Sequence, residues 1–210
     1  MIGLTSRAIE EVRRVGYHHG DLRTALIDAG TALVAEGGLP ALSVAEAARR
    51  TGVSAAAPYR HFPSRQDFVV AVAGRAAREL GAAMRDAADR AGDDPVEALA
   101  AAAAAYVRFA ATRRAGYDLI FSPELRGVHD EELRDAARAV SDIVLLGAME
   151  ATGGDAGAAV DVVPQFMVVA QGAASMNQVG VFNDIESAAL LAARTMRRLL
   201  RDADGGTQTS

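Results

Sequence analysis

The chain of 210 residues has no cysteine. Disulfides, thiolate zinc sites and cysteine nucleophiles are therefore excluded, which fits a reducing compartment. Lysine is missing too, since all 22 basic residues are arginine. Alongside so much alanine, glycine, valine and aspartate, this is a compositional habit with no functional weight. No apolar stretch of signal-peptide length opens the sequence, so no targeting segment is expected. Almost nothing has the alternation of a strand. Catalytic signatures are scarce as well. The four histidines, at 18, 19, 61 and 129, lack metal-ligand spacing such as HExxH. There is no glycine-rich phosphate loop and no G-x-S-x-G. The acidic stretch "GVHDEELRD", Gly127 to Asp135, lacks the glycine and alternation of a calcium loop, and His129 belongs at the surface. The expectation is a cytoplasmic protein that is not an enzyme and uses no cofactor or metal.

What is present is an ordinary globular composition, 50% hydrophobic and 23% charged, long enough for one or two domains with a real core. Residues 1–78 hold 10 arginines against 7 acids, and residues 79–210 hold 12 against 20. A mildly basic end on an acidic body suggests one anion-facing surface, although a plain solvated face has the same balance. The most apolar run, "VDVVPQFMVVAQGAASM", contains Asp161, Pro164 and Gln171 and reads as a buried helix, not a membrane span.

Helical periodicity then runs along the whole chain. Asp21 is a candidate cap for a helix carrying Leu22, Leu26, Ala29 and Leu33, which "EGG" at Glu36 to Gly38 stops. Ser43 caps a second helix, with Glu46 completing the S-x-x-E capping box. Val44, Ala47, Ala48 and Thr51 share one face, and Gly52 ends it. Ser54 is read as the cap of a third helix after a Gly-Val turn. Two short helices around a tight glycine turn match a helix-turn-helix, and equally any helical hairpin. In the third segment, "TGVSAAAPYRHF", Pro58 is tolerable only near a helix start. Bare alanines allow close approach to a major groove and can touch a thymine methyl, but cannot read hydrogen-bond patterns. Tyr59, Arg60 and His61 supply polar contacts, and Phe62 anchors the segment.

"LSVAEAARRTGVSAAAPYRHFPSRQDFVVAVA" resembles the DNA-binding segment of the tetracycline-repressor (TetR) family. The resemblance rests on Gly52, Val53 and Ser54, then Tyr59, His61 and Phe62, then Arg65, and it covers about Tyr17 to Ala73. It implies an all-α protein: an N-terminal three-helix helix-turn-helix domain, then a helical-bundle domain for effector binding and dimerisation. By that resemblance, Ser43 holds a phosphate with its hydroxyl or backbone N–H. Tyr59 and His61 match the family's phosphate-contacting pair, and Arg65 matches a basic residue, most often lysine. Ala45, Ala55 and Ala57 occupy positions that often read bases, and alanine there departs from strong direct readout. Arg49, Arg50 and Arg60, or an arm with Arg13, Arg14, His18 and His19, are available to compensate. Plainer roles stand beside these: Tyr59 as core, His61 bonded to nearby backbone, the arginines as solvated surface, Ser54 merely as a cap.

The expected boundaries are 1–64 for the arm and DNA-binding domain, 65–204 for the effector-binding and dimerisation domain, and 205–210 for a disordered tail. In the body, Asp93 or Asp94 caps a helix with Pro95 at its start, followed by an alanine run read as packing. "RRAGYDLIFSPEL" reads as a break, and another helix follows from Asp130 to Thr152. A nearly all-apolar helix spans Asp161 to Gly180, with Asp161 as cap or else Pro164 as a kink. The last helix begins after Asp184. These two helices suit a four-helix dimer interface carrying Val168, Gly172, Ala189, Ala192, Met196 and Leu199, or else complete a monomeric core. The body also resembles TetR-like regulators named for a Trp-His-Gly signature. At the matching stretch this chain has Met167, Gln171 and Gly172, keeping only the glycine.

The resemblance further implies a transcriptional regulator, read here as a repressor, that binds a pseudo-palindromic operator in double-stranded DNA as a homodimer. A small apolar effector would release it. Candidate effector contacts are Tyr106, Phe109, Tyr117, Phe121, Met149, Phe166, Met167, Gln171 and Asn177. Gln171 and Asn177 stand out, because a polar residue in an apolar helix needs a partner. The alternative is a helical ligand-binding or adaptor protein with weak or lost DNA binding.

Overall fold

The computed structural model describes residues 19–205, with side chains from Leu22 to Arg201. The expected arm (Arg13, Arg14, His18 and the His19 side chain) and residues 206–210 of the expected tail lie outside the described residues. Within them there are eight α-helices and no strand, the all-α architecture that the patterning predicts. The chain divides into two compact units, one ending at Val69 and one beginning at Val70.

In the first unit, helix α1 (His19–Ala41) starts before the expected cap, so Asp21 lies inside its first turn. The helix is interrupted at Gly37 (φ −140°) and Gly38 (φ +67°), where the "EGG" signal predicts a stop. One further turn contains Pro40 and closes with a bond from Leu42 N–H to the Leu39 carbonyl at 3.1 Å. Helix α2 (Val44–Thr51) is capped by Ser43, whose Oγ accepts from Glu46 N–H at 3.4 Å. The reciprocal half of the expected box is replaced, because the Glu46 carboxylate accepts from Arg49 and Arg50. Gly52 ends the helix in the left-handed region (φ 70°, ψ 23°). Its N–H reaches Arg49 O at 3.3 Å and Val53 N–H reaches Ala48 O at 3.1 Å, the paired bonds of a Schellman stop.

The segment after Ser54 is not an α-helix. Turns at 55–57 lead into a short 3₁₀ segment, Pro58–Arg60. Pro58 has no N–H to give the Ser54 carbonyl, so that carbonyl accepts from Ala57 N–H at 3.0 Å, one residue early. Helix α3 (Arg65–Arg90) then opens with a capping box that the sequence reading overlooked. Asp67 N–H donates to Ser64 Oγ at 3.2 Å, and Ser64 N–H donates to Asp67 Oδ2 at 2.8 Å. Leu26, Ile27, Leu33, Val34, Leu42, Val44, Phe62 and Phe68 form this unit's core. The Phe62 and Phe68 rings sit 5.0 Å apart, and Arg23 lies 5.6 Å over Phe62.

The second unit is built around α4 (Pro95–Thr112), where Asp94 Oδ1 accepts from Val96 N–H at 2.9 Å and Pro95 occupies the first turn. The "RRAGYDLIFSPEL" stretch, read as a break, instead forms helix α5 (Arg114–Ile120) and a 3₁₀ turn, Pro123–Leu125. Helices α6 (Glu131–Ala151), α7 (Ala156–Gln178) and α8 (Ile185–Gly205) follow. Helix α4 packs on α6, α7 and, most extensively, α8. Both helices are rich in buried alanine: Ala100 and Ala102 to Ala105 on α4, and Ala188, Ala189, Ala192 and Ala193 on α8. Small side chains let the two backbones approach closely and add no side-chain entropy cost. Ion pairs fasten both ends of the pair. Arg197 meets Glu97 at 2.7 Å, and Arg108 meets Glu186 at 2.6 Å, which sets α4 and α8 antiparallel.

Helix α7 departs from the sequence reading. It starts five residues before Asp161, capped by Asp155, whose Oδ1 accepts from Gly157 and Ala158 N–H at 2.9 and 3.1 Å. Pro164 therefore sits inside a longer helix, the second of the two alternatives. By length and composition α7 is apolar enough to cross a membrane (mean hydropathy 1.2), with 28% of that stretch buried. The chain itself covers one side of it. Val160 and Val168 remain 60% and 73% exposed.

Candidate functional site

In the first unit, buried and exposed positions divide the turn segment into an anchor and a head. Pro58 and Phe62, four residues apart, point inward, with Phe62 only 1% exposed. Ala55, Ala56, Tyr59 and Arg60 face outward, and Ala57 and His61 are half-buried. Tyr59 is 53% exposed, so it is not a core residue. His61 lies beside Phe62 with ring centroids 6.3 Å apart. The remaining predicted contacts are placed by neighbouring elements. Ser43 is the cap of α2, Ala45 is exposed in its first turn, and Ser54 is exposed just after the Schellman stop. Arg65 opens α3, exposed, its Nη2 donating toward the Leu39 carbonyl at 3.5 Å. A phenol, an imidazole and arginines around a nearly bare alanine tip can donate to phosphate oxygens while the backbone approaches closely.

Arg49 and Arg50, proposed to compensate for the alanines, are both engaged. Arg49 forms a two-pronged pair with Glu46, and Arg50 bonds Glu36 at 2.7 and 2.6 Å, tying α2 to α1. Held first by Arg49 and then by Arg50, the Glu46 carboxyl drops from 4.5 to about 2. Glu36 is lowered as well by Arg50.

The effector candidates of the second unit separate into packed and open positions. Tyr106 is fully buried with its ring edge-on to Tyr117 at 5.7 Å and to Phe166 at 6.4 Å. Its hydroxyl is 2.6 Å from Gln171 Oε1 and 3.4 Å from the Tyr117 hydroxyl. A single proton cannot serve both, and the amide oxygen can only accept. Tyr106 therefore donates to Gln171 and accepts from Tyr117. Burial pushes both phenols up, so both stay protonated. The partner expected for Gln171 is thus a residue of the chain's own core. Phe121 is exposed and leans on Tyr117 at 5.0 Å, while Met149, Met167 and Asn177 are half-buried. Only Phe109 among the candidates lines a described groove, about 520 Å³ between α3 and α4 with Ala83, Ala87, Arg90, Arg108 and Arg113. Sequence reasoning missed Gln178, whose Nε2 is buried without a partner among the described residues. Its only signal was an amide pair, Asn177–Gln178, at a helix end.

Three of the predicted interface residues cannot reach a second copy. Ala189, Ala192 and Met196 are each 0% exposed inside this chain's core. The stripe read as a dimer face is buried within this chain's own bundle, where α8 packs on α4 and α7. Leu199 and Gly172 are half-buried and Val168 is exposed, alongside Leu190 at 54% and Leu191 at 38%.

Comparison with known proteins agrees with both units. Residues 26–72 match the model of bacterial regulatory proteins of the tetR family, and residues 99–199 match the tetracyclin repressor-like C-terminal domain. Together these span most of the chain, which belongs to the TetR family of bacterial regulatory proteins. A protein of unknown function from Rhodococcus sp. RHA1 shares 27% identity at a TM-score of 0.77, over 88% of this chain and 98% of its own. A tetR-family regulatory protein from Rhodococcus RHA1 shares 21% at 0.58, over 86% and 95%. The transcriptional regulator FadR from Bacillus subtilis, solved in complex with stearoyl-CoA, shares 16% at 0.63, over 85% and 97%. No curated protein matches the chain significantly.

Proposed function

We propose that this TetR-family protein is a cytoplasmic repressor that binds a pseudo-palindromic operator as a homodimer and is released by a small effector. The observation that carries the DNA-binding part is the outward head at residues 55–61. Its anchors Pro58 and Phe62 are buried, while Tyr59 and Arg60 stay in solvent. An isolated large aromatic held out beside a basic residue suits a phosphate-lined groove. The proposed dimer surface uses Val160, Val168, Leu190 and Leu191, four of the apolar positions of α7 and α8 left uncovered, with Gly172 allowing close approach. A symmetric pair of such surfaces matches a twofold operator. Buried Phe109, which lines the α3–α4 groove together with alanines and arginines, supports an apolar effector, and FadR with its bound stearoyl-CoA offers one candidate class.

The test is selection from a genomic DNA library with the purified full chain, followed by footprinting of the enriched fragments. Twofold-symmetric protection that is lost in Val168→Glu and weakened by added acyl-CoA is the expected result. Retention of no fragment above random DNA, at any salt concentration, would instead support a helical adaptor that has lost DNA binding.

A further inference from the structure

The arginines of the first unit are not equally available. Arg49 keeps 73% of its side chain exposed, whereas Arg50 keeps 29%. Arg49 lies one helical turn after Ala45 and shares the exposed face that carries it. Its guanidinium is nevertheless occupied. Nε donates to Glu46 Oε2 at 2.8 Å and Nη2 to Oε1 at 2.6 Å. Glu46 also accepts from Arg50 Nε at 3.1 Å, and Arg50 is fixed in turn by two bonds to Glu36. Arg49, Glu46, Arg50 and Glu36 thus close into a neutral ladder across α1 and α2.

An exposed ion pair by itself contributes little, because two long side chains must be ordered together. The ladder changes that balance. The Glu46 carboxylate is already held by Arg50, so Arg49 gives up only its own freedom, and it meets both oxygens in a matched fork. Glu46 also sits in the first turn of α2, next to the Ser43 cap, where a phosphate would dock. Its charge there opposes the approach of an anion.

We propose that Glu46 is a built-in counter-ion that holds Arg49 away from DNA phosphate and thereby sets the strength of non-specific DNA binding. Glu46 is on this account a positioning residue that acts through Arg49, and the inference rests on the DNA-binding reading above. The experiment measures binding of the full chain to a random-sequence DNA duplex across a salt series. Wild type is compared with Glu46→Gln, Arg49→Ala and the double variant, with thermal melts of all four. The cap uses the Glu46 backbone N–H and not its side chain, so Glu46→Gln keeps the helix start.

Glu46→Gln should bind more tightly, with a log–log salt slope steeper by about 0.9, the signature of one added phosphate contact. Its advantage should then shrink about threefold for each fourfold rise in salt. Arg49→Ala alone should leave the slope unchanged, and the double variant should lose the added slope. An unchanged slope in Glu46→Gln overturns the inference. So does an added slope that survives in the double variant, since it then comes from relieved repulsion alone. A shallower slope in Arg49→Ala alone also overturns it, because Arg49 would already touch phosphate, and this readout stands even if Glu46→Gln folds poorly. Wild-type protein that binds no duplex at low salt removes the DNA-binding reading and this inference with it.

Discussion

Two aromatics three residues apart, Tyr59 and Phe62, should fail in opposite ways when cut to alanine. Phe62 is 1% exposed and packs on Phe68 at 5.0 Å, with Arg23 5.6 Å above its ring. Phe62→Ala should cost about 3–5 kcal/mol, the usual toll for emptying a buried phenylalanine site. That is a large share of the stability of a small domain. Tyr59 is 53% exposed, and its loss should shift stability by less than about 0.5 kcal/mol. Its cost should appear in binding. A hydroxyl donating to a charged phosphate contributes about 1.5 kcal/mol, so Tyr59→Ala should weaken DNA binding about tenfold. Urea denaturation followed by circular dichroism gives the stabilities, since the chain has no tryptophan to report on folding. Fluorescence anisotropy with labelled duplex gives the affinities. A Tyr59→Ala protein as unstable as Phe62→Ala refutes the outward head. One that is stable and binds DNA unchanged removes Tyr59 from the interface.

Three further outcomes follow from local geometry. At Gly52, φ is 70° and a Cβ would meet nothing within 4 Å, so Gly52→Ala should cost about 1–2 kcal/mol by backbone strain alone, with Gly52→Asn milder in the same urea melts. Tyr106→Phe leaves Gln171 Oε1 without its 2.6 Å donor and should cost about 1–2 kcal/mol, readable as a lower urea midpoint at unchanged m-value. Glu46 titrates at about 2 in the folded chain against an ordinary 4.5. A depressed carboxylate stabilises above its unfolded value, so the Glu46 pairs with Arg49 and Arg50 should be intact above about pH 4.5 and weaken progressively toward pH 2, and Glu46→Gln should lose less stability than wild type over that range in pH-dependent melts.

Much of the architecture was legible because its signals are local. Ser43, Gly52, Asp94, Pro95, Asp130 and Asp184 each mark a helix end through one side chain or one backbone angle, and the chain uses them as read. The missed elements depend on competition between local rules. Asp155 and Asp161 are both plausible caps, and the glycines before Asp155 favour the earlier start, at the expense of a proline inside α7. Pro58 turned an expected helix into a 3₁₀ segment because the missing N–H falls where the first helical bond would form. The last helix shows the limit of periodicity. Its apolar stripe is correct, but a stripe does not say whether it faces the chain's own core or another copy. Alanine at 189 and 192 was the available clue, since small residues suit helices packed closely inside one bundle. Likewise Gln171 was rightly singled out as needing a partner, yet only the fold could name Tyr106.

The central claim is that residues 43–65 present a phosphate-binding surface on a TetR-family scaffold. The most direct measurement is the salt dependence of DNA binding by the full chain beside a His61→Ala, Arg65→Ala double variant. The account predicts binding that weakens steeply as salt rises, with a clearly shallower slope and much weaker binding in the variant, whose melting temperature stays close to wild type. Equal affinities and equal slopes for the two folded proteins would contradict it.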